Sequence, residues 1–63
     1  MERLKELREE KELSQAELAK IMNVTPVTIC RYETGQREPD FKTLKKMCDF
    51  FDVTAGYLLG FED

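Results

Sequence analysis

Leu13-Ser14-Gln15-Ala16-Glu17-Leu18-Ala19-Lys20-Ile21-Met22-Asn23-Val24-Thr25-Pro26-Val27-Thr28-Ile29-Cys30-Arg31-Tyr32-Glu33 reads as two short helices joined by a tight turn. Ser14 followed three residues later by Glu17 is a capping box: the hydroxyl takes an orphan amide of the first turn and the carboxylate reaches back. Leu18, Ile21 and Met22 give the first of the two helices an apolar side, and it runs from about residue 15 to about 22. Asn23 follows, the second choice after glycine for a left-handed residue that ends a helix. Thr25-Pro26 then restarts helix: a Thr cap and a Pro in the first position, where the missing N–H costs nothing. The second helix is expected over about 26–33, with Ile29 and Tyr32 facing inward and the chain stopping at Thr34-Gly35. Ala19 is small where two helices must approach closely, and Leu18 and Tyr32 complete the wedge between them. Two helices joined by a three- to four-residue turn are a helix-turn-helix candidate.

The flanks read as support. Residues from about 2 to about 11 are rich in Glu, Lys, Arg and Leu, all good helix formers. Leu4 and Leu7 share a face there, with Arg8 one turn beyond Leu4. After the polar loop Gln36-Arg37-Glu38-Pro39, Asp40 caps a helix over about 41–51 whose stripe is Phe41, Leu44, Met47, Cys48 and Phe51. Thr54 caps a last helix over about 55–59 that ends at Gly60. No sustained alternation and no Asn-Gly or Asp-Gly hairpin turn signals a strand. The expected fold is all-α: five helices in one domain spanning residues 1–63.

Composition narrows the function. A chain of 63 residues has room for one small core and none for a deep substrate cavity. No apolar run approaches the ~20 residues that cross a bilayer, and Met1-Glu2-Arg3-Leu4-Lys5 lacks a signal peptide's apolar middle, so a cytoplasmic location is expected. With two cysteines, Cys30 and Cys48, and no histidine, the chain cannot supply the four ligands of a structural zinc site. Reduced cysteines are expected. Ten Lys and Arg against thirteen Asp and Glu give a net charge of −3, which counts against a nucleic-acid binder. The distribution softens this. From Leu13 to Lys46 there are six cations (Lys20, Arg31, Arg37, Lys42, Lys45, Lys46) and four anions (Glu17, Glu33, Glu38, Asp40), a local +2, with the acid excess at the two ends.

The combined pattern Leu13-Ser14-Gln15-x-Glu17-Leu18-Ala19, Thr28-Ile29-x-Arg31-Tyr32-Glu33-x-Gly35-x-Arg37-x-Pro39 and Phe51-x-Val53-x-x-x-Tyr57-Leu58-Leu59-Gly60 resembles the Cro/lambda-repressor-like helix-turn-helix family, also called Xre-type regulators. The resemblance covers nearly the whole chain. It implies a five-helix DNA-binding domain of a transcriptional regulator, most often a repressor, bound to a double-stranded operator as a homodimer, with no enzymatic activity, cofactor, metal or membrane partner. It implies that the exposed face of the third helix, Pro26, Val27, Thr28, Cys30 and Arg31, reads bases in the major groove. Gln15, Arg37 and Lys42 would meet phosphates. Arg8 and Glu33 occupy the places of a structural ion pair. Cys30 stands where the family commonly has Ser or another polar residue, so the readout at that position departs from the family's; Pro26-Val27 is less polar than many family counterparts, which implies apolar or shape readout near the helix start.

Each functional assignment has a plainer counterpart. Arg31 suits bidentate binding of guanine, but it also has Glu33 and Asp40 nearby as pairing partners on a solvated face. Lys42, Lys45 and Lys46 form a charge run, and such runs are usually solvated surface. The apolar crowd Tyr57, Leu58, Leu59 and Phe61 exceeds what a short terminal helix can bury; the excess would form a dimer interface setting two recognition helices about 34 Å apart. A protein-interaction module that keeps the fold without DNA binding is the alternative function that the acidic charge favours.

Overall fold

Capping chemistry sets where the helices begin. The computed structural model describes residues Met1–Asp63 as α1 (Leu4–Glu10), α2 (Gln15–Met22), α3 (Pro26–Thr34), α4 (Phe41–Phe51) and α5 (Ala55–Leu59), with no strand. Before each of the last four helices stands an extended residue whose side-chain oxygen accepts the amide N–H three positions on. Ser14 Oγ accepts from Glu17 at 3.0 Å, Thr25 Oγ1 from Thr28 at 3.2 Å, Asp40 Oδ1 from Thr43 at 2.8 Å, and Thr54 Oγ1 from Tyr57 at 3.1 Å. Each bond satisfies one of the donors that a helix start leaves without an internal partner. At Ser14 the box is closed, because Glu17 Oε1 accepts the Ser14 N–H at 2.8 Å.

Left-handed residues end these same helices: Asn23 at φ 60°, Gly35 at 79°, Asp52 at 55° and Gly60 at 88°. Gly35 and Gly60 meet the steric demand of that region without a Cβ, while Asn and Asp tolerate it through local hydrogen bonding. α1 departs from the pattern. Arg3 makes no side-chain capping bond, and the helix begins two residues later than its composition suggests. Glu12, at φ 57°, turns the chain from α1 into α2, which nothing in its residue type foretells.

Every helix contributes one side chain with no solvent exposure: Leu4, Leu18, Ile29, Met47 and Leu58, all at 0 %. Around this centre pack Leu7, Ala19, Met22, Tyr32 and Phe51. Burying a Leu, Ile or Met side chain fully stabilises by about 1.5–3 kcal/mol, so these five positions are the hub of a small core. Ala19, 1 % exposed, sits in the interface between α2 and α3, where a larger side chain would push the helices apart.

Two apolar positions, Phe41 and Ile21, lie outside the core that their spacing predicts for them, and two more, Leu44 and Cys48, only pack against its edge. Phe41, the first residue of α4, is 82 % exposed; the buried part of the stripe is Met47 and Phe51, flanked by half-buried Leu44 and Cys48. Ile21 is 39 % exposed: α2 turns Leu18, Ala19 and Met22 inward, which rotates residue 21 to the rim. Cys48 is half-buried, and desolvation, with Asp49 beside it, pushes its thiol pKa up.

Candidate nucleic-acid interface

The angle between α2 and α3 decides what α3 shows to solvent. Val24 N–H donates to Ala19 O at 2.9 Å, closing the turn behind Asn23. With Ile29 and Tyr32 directed into the core, Pro26, Val27, Cys30, Arg31 and Thr34 are left exposed on one side of α3, and Thr28 is half-buried at its edge. Val27 is 57 % exposed.

Arg31 has no ion-pair partner; the two salt bridges in the molecule are Arg8–Glu33 and Lys45–Asp49. Its guanidinium is exposed and free to extend. Its carbonyl accepts the N–H of Gln36 at 2.9 Å and of Arg37 at 3.3 Å, so the loop carrying Arg37 is hung from the end of α3. Thr28 is less free. Its hydroxyl lies 2.9 Å from that of Thr25, which anchors its rotamer to the cap.

The cations separate into two kinds. Lys45 meets Asp49 one turn on at 3.1 Å, both side chains about 70 % exposed, a solvated pair worth little. Lys42 and Arg37 are exposed and in no salt bridge. Between Asn23, Thr25 and Thr28 on one side and Arg37, Asp40 and Thr43 on the other runs an open cleft of about 550 Å³. Its lining is mainly polar, with Arg37 set against Glu38 and Asp40, a form suited to water rather than an apolar ligand. Asp40 in this cleft is held below its ordinary value by the Thr43 hydrogen bonds, with smaller help from Lys42 and Arg37.

Gln15 is half-buried, and its Nε2 donates to Glu33 Oε1 at 3.0 Å. Arg8 Nε reaches Glu33 Oε2 at 2.6 Å, and the two side chains are 10 % and 4 % exposed. The Glu33 hydrogen bond, more than any other influence, raises the Arg8 pKa against the cost of burial. No local signal announces the Gln15 link, because the two residues are eighteen positions apart and helical periodicity speaks only within a helix.

The C-terminal set divides. Leu58 is fully buried within the chain, so it belongs to the core and not to a dimer interface: α5 is only five residues long and needs one deep anchor to dock at all. Tyr57 and Leu59 are half-buried, and Phe61 is 84 % exposed. Tyr57 carries the Arg3 guanidinium 4.5 Å above its ring, a cation–π contact that covers one of its faces.

A short pair of helices crossing at a left-handed turn, the second with a face free of intramolecular contacts, is the helix-turn-helix class. The chain belongs to the helix-turn-helix family of Cro/C1, or Xre-like, type: that family's model matches residues 4–58. It is 41% identical over 58 residues to YqaE of Bacillus subtilis (strain 168), an uncharacterized HTH-type transcriptional regulator, covering 92% of this chain and 50% of that protein. It is 37% identical over 62 residues to the HTH-type transcriptional regulator AnsR of the same organism, covering 98% of this chain and 53% of AnsR. It has the same identity, over 62 residues, to the HTH-type transcriptional activator BcrR of Enterococcus faecalis, there covering 98% of this chain and 30% of BcrR. The chain thus spans about half or less of the length of these curated relatives. No solved structure matches it significantly. No helix is long and apolar enough to cross a membrane.

Proposed function

We propose that this chain is the DNA-binding unit of a cytoplasmic transcriptional regulator, a repressor that binds a double-stranded operator as a homodimer with α3 in the major groove. The observation that carries the reading is the unpartnered face of α3. Val27, Cys30 and Arg31 are exposed there on a helix whose opposite side is locked by Ile29 and Tyr32. A rigid helix with three free side chains, one of them an unpaired Arg, is what direct readout needs. Arg31 would take guanine O6 and N7, and Val27 a thymine methyl. Pro26 and Thr28 would flank them at the helix start, with Cys30 between the readers. Arg37, Lys42 and Gln15 would meet phosphates on either side. Tyr57, Leu59 and Phe61 would supply the twofold contact. Membership in a family of regulators argues against an enzyme.

The net charge of −3 makes non-specific affinity modest, so discrimination rests on base contacts more than in a basic domain. Selection of bound sequences from a random duplex pool tests this directly. It should return a two-part site with half-sites about one helical turn apart. Arg31→Ala should then lose ~1–3 kcal/mol on the selected site and relax one base position. A pool that yields no enriched sequence at low salt would turn the reading toward a protein-interaction module. A promoter reporter with the selected site overlapping the start of transcription should fall in output when the regulator is expressed; a rise would make it an activator.

A further inference from the structure

The side-chain amide of Gln15 is already committed before any nucleic acid arrives. From the first residue of α2 its Nε2 donates to Glu33 Oε1, in the last turn of α3, at 3.0 Å. The same carboxylate receives Arg8 Nε at 2.6 Å on Oε2 and Arg8 Nη2 at 3.3 Å on Oε1. The remaining donor arm, Arg8 Nη1, reaches Leu13 O at 2.7 Å, the carbonyl just before the Ser14 cap. One guanidinium from α1 therefore holds both the carboxylate that grips Gln15 and the chain that enters α2.

The charges make this arrangement compatible with DNA. A lone carboxylate near a phosphate would repel it, but Glu33 is paired and the pair carries no net charge. Its side chain is 4 % exposed, so it acts on Gln15 without facing solvent itself. A glutamine amide has two N–H donors and one carbonyl. With one N–H held by Glu33, the second N–H and the carbonyl are fixed in direction. The rotamer freedom that an unheld Gln would lose on binding has already been lost on folding.

We propose that Glu33, neutralised by Arg8, is a positioning residue that holds Gln15 in its phosphate-binding orientation in the free protein. This rests on the proposed function, in which Gln15 meets a phosphate. The test is a coupling measurement by fluorescence anisotropy on a mixed-sequence duplex at low salt, because a phosphate contact needs no particular sequence. In the parent, Gln15→Ala should weaken binding about two- to tenfold, the cost of one immobilised side-chain contact. The salt slope should not change, because glutamine neutralises no phosphate. In a background carrying both Arg8→Met and Glu33→Leu, the same Gln15→Ala change should cost less than about twofold. A Glu33→Asp background, which keeps the charge that Arg8 pairs with but shortens its reach toward Gln15 by one methylene, should likewise lower the Gln15→Ala cost and covers the case in which the apolar pair fails to fold.

A purely structural ion pair would alter the folded fraction but leave the Gln15→Ala cost equal in every background. That equality would overturn the proposal, as would a Gln15→Ala variant that binds like the parent. Failure of the parent to bind any duplex would instead strike at the proposed function, and it is visible before a variant is made.

Discussion

Removing one partner of the Arg8–Glu33 pair should be the most damaging single change in this molecule outside the apolar core. Arg8→Met strands a carboxylate that is 4 % exposed, deletes two hydrogen bonds to it, and leaves Leu13 O without its 2.7 Å donor. An uncompensated buried charge of this kind costs about 3–5 kcal/mol; because the pair lies at the edge of the core, the lower end applies. A chain of 63 residues is expected to have roughly 3–9 kcal/mol in total at ~0.05–0.15 kcal/mol per residue. The single variant should therefore melt roughly 10–25 °C below the parent, at about 4–8 °C per kcal/mol for a domain this small. Replacing both residues, Arg8→Met with Glu33→Leu, removes the charge together with its partner, and such exchanges are often neutral or stabilising. The double variant should return to within about 1 kcal/mol of the parent. Urea and thermal unfolding followed by far-ultraviolet circular dichroism measure all three. An Arg8→Met protein as stable as the parent would refute the view that the pair is buried and coupled, and a double variant no better than the single would mean that the damage comes from lost packing.

Leu58→Ala should lose ~2–5 kcal/mol, and the loss should not vary with protein concentration, because Leu58 is buried within the chain; concentration dependence would return it to a dimer interface. Phe41→Ser should change the unfolding midpoint by less than the equivalent of about 0.5 kcal/mol, since the ring is 82 % exposed; a larger loss in urea unfolding would mean that it packs. Glu17 and Asp40 are both held below their ordinary values of 4.5 and 3.8 by hydrogen bonds to Ser14 and Thr43 respectively. A depressed folded value means that the unfolded chain binds more protons, so this stabilisation is complete above those ordinary values and lost as pH falls through the lower folded ones. Asp40→Asn and Ser14→Ala should flatten the acid limb of a stability-against-pH curve, and variants whose acid limb matches the parent's would show that these caps do not titrate with folding.

Local chemistry made most of the scaffold legible. The caps Ser14, Thr25, Asp40 and Thr54 and the stops at Asn23, Gly35 and Gly60 are written in residue types with strong positional preference, and each acts over three or four positions. The inward residues Leu4, Leu18, Ile29 and Met47 follow from helical spacing. The α3 face could be named because it is whatever Ile29 and Tyr32 leave over. Glu12 and Asp52 carry no such signal, because acidic residues only sometimes turn left-handed, and tertiary packing decides when.

By itself, then, the sequence determined five helices, the starts of the last four, and which side of α3 stays free, since capping and periodicity are short-range and carried by single residues. Only the tertiary structure decided which apolar residues at the ends of helices are covered. It sent Leu58 inward while leaving Phe41 and Phe61 in solvent, because coverage depends on where neighbouring helices stop. It also joined Arg8, Glu33 and Gln15 across three helices. A hydrogen bond spanning eighteen positions has no period to betray it, and it exists only once the angle between α2 and α3 has brought the two side chains together.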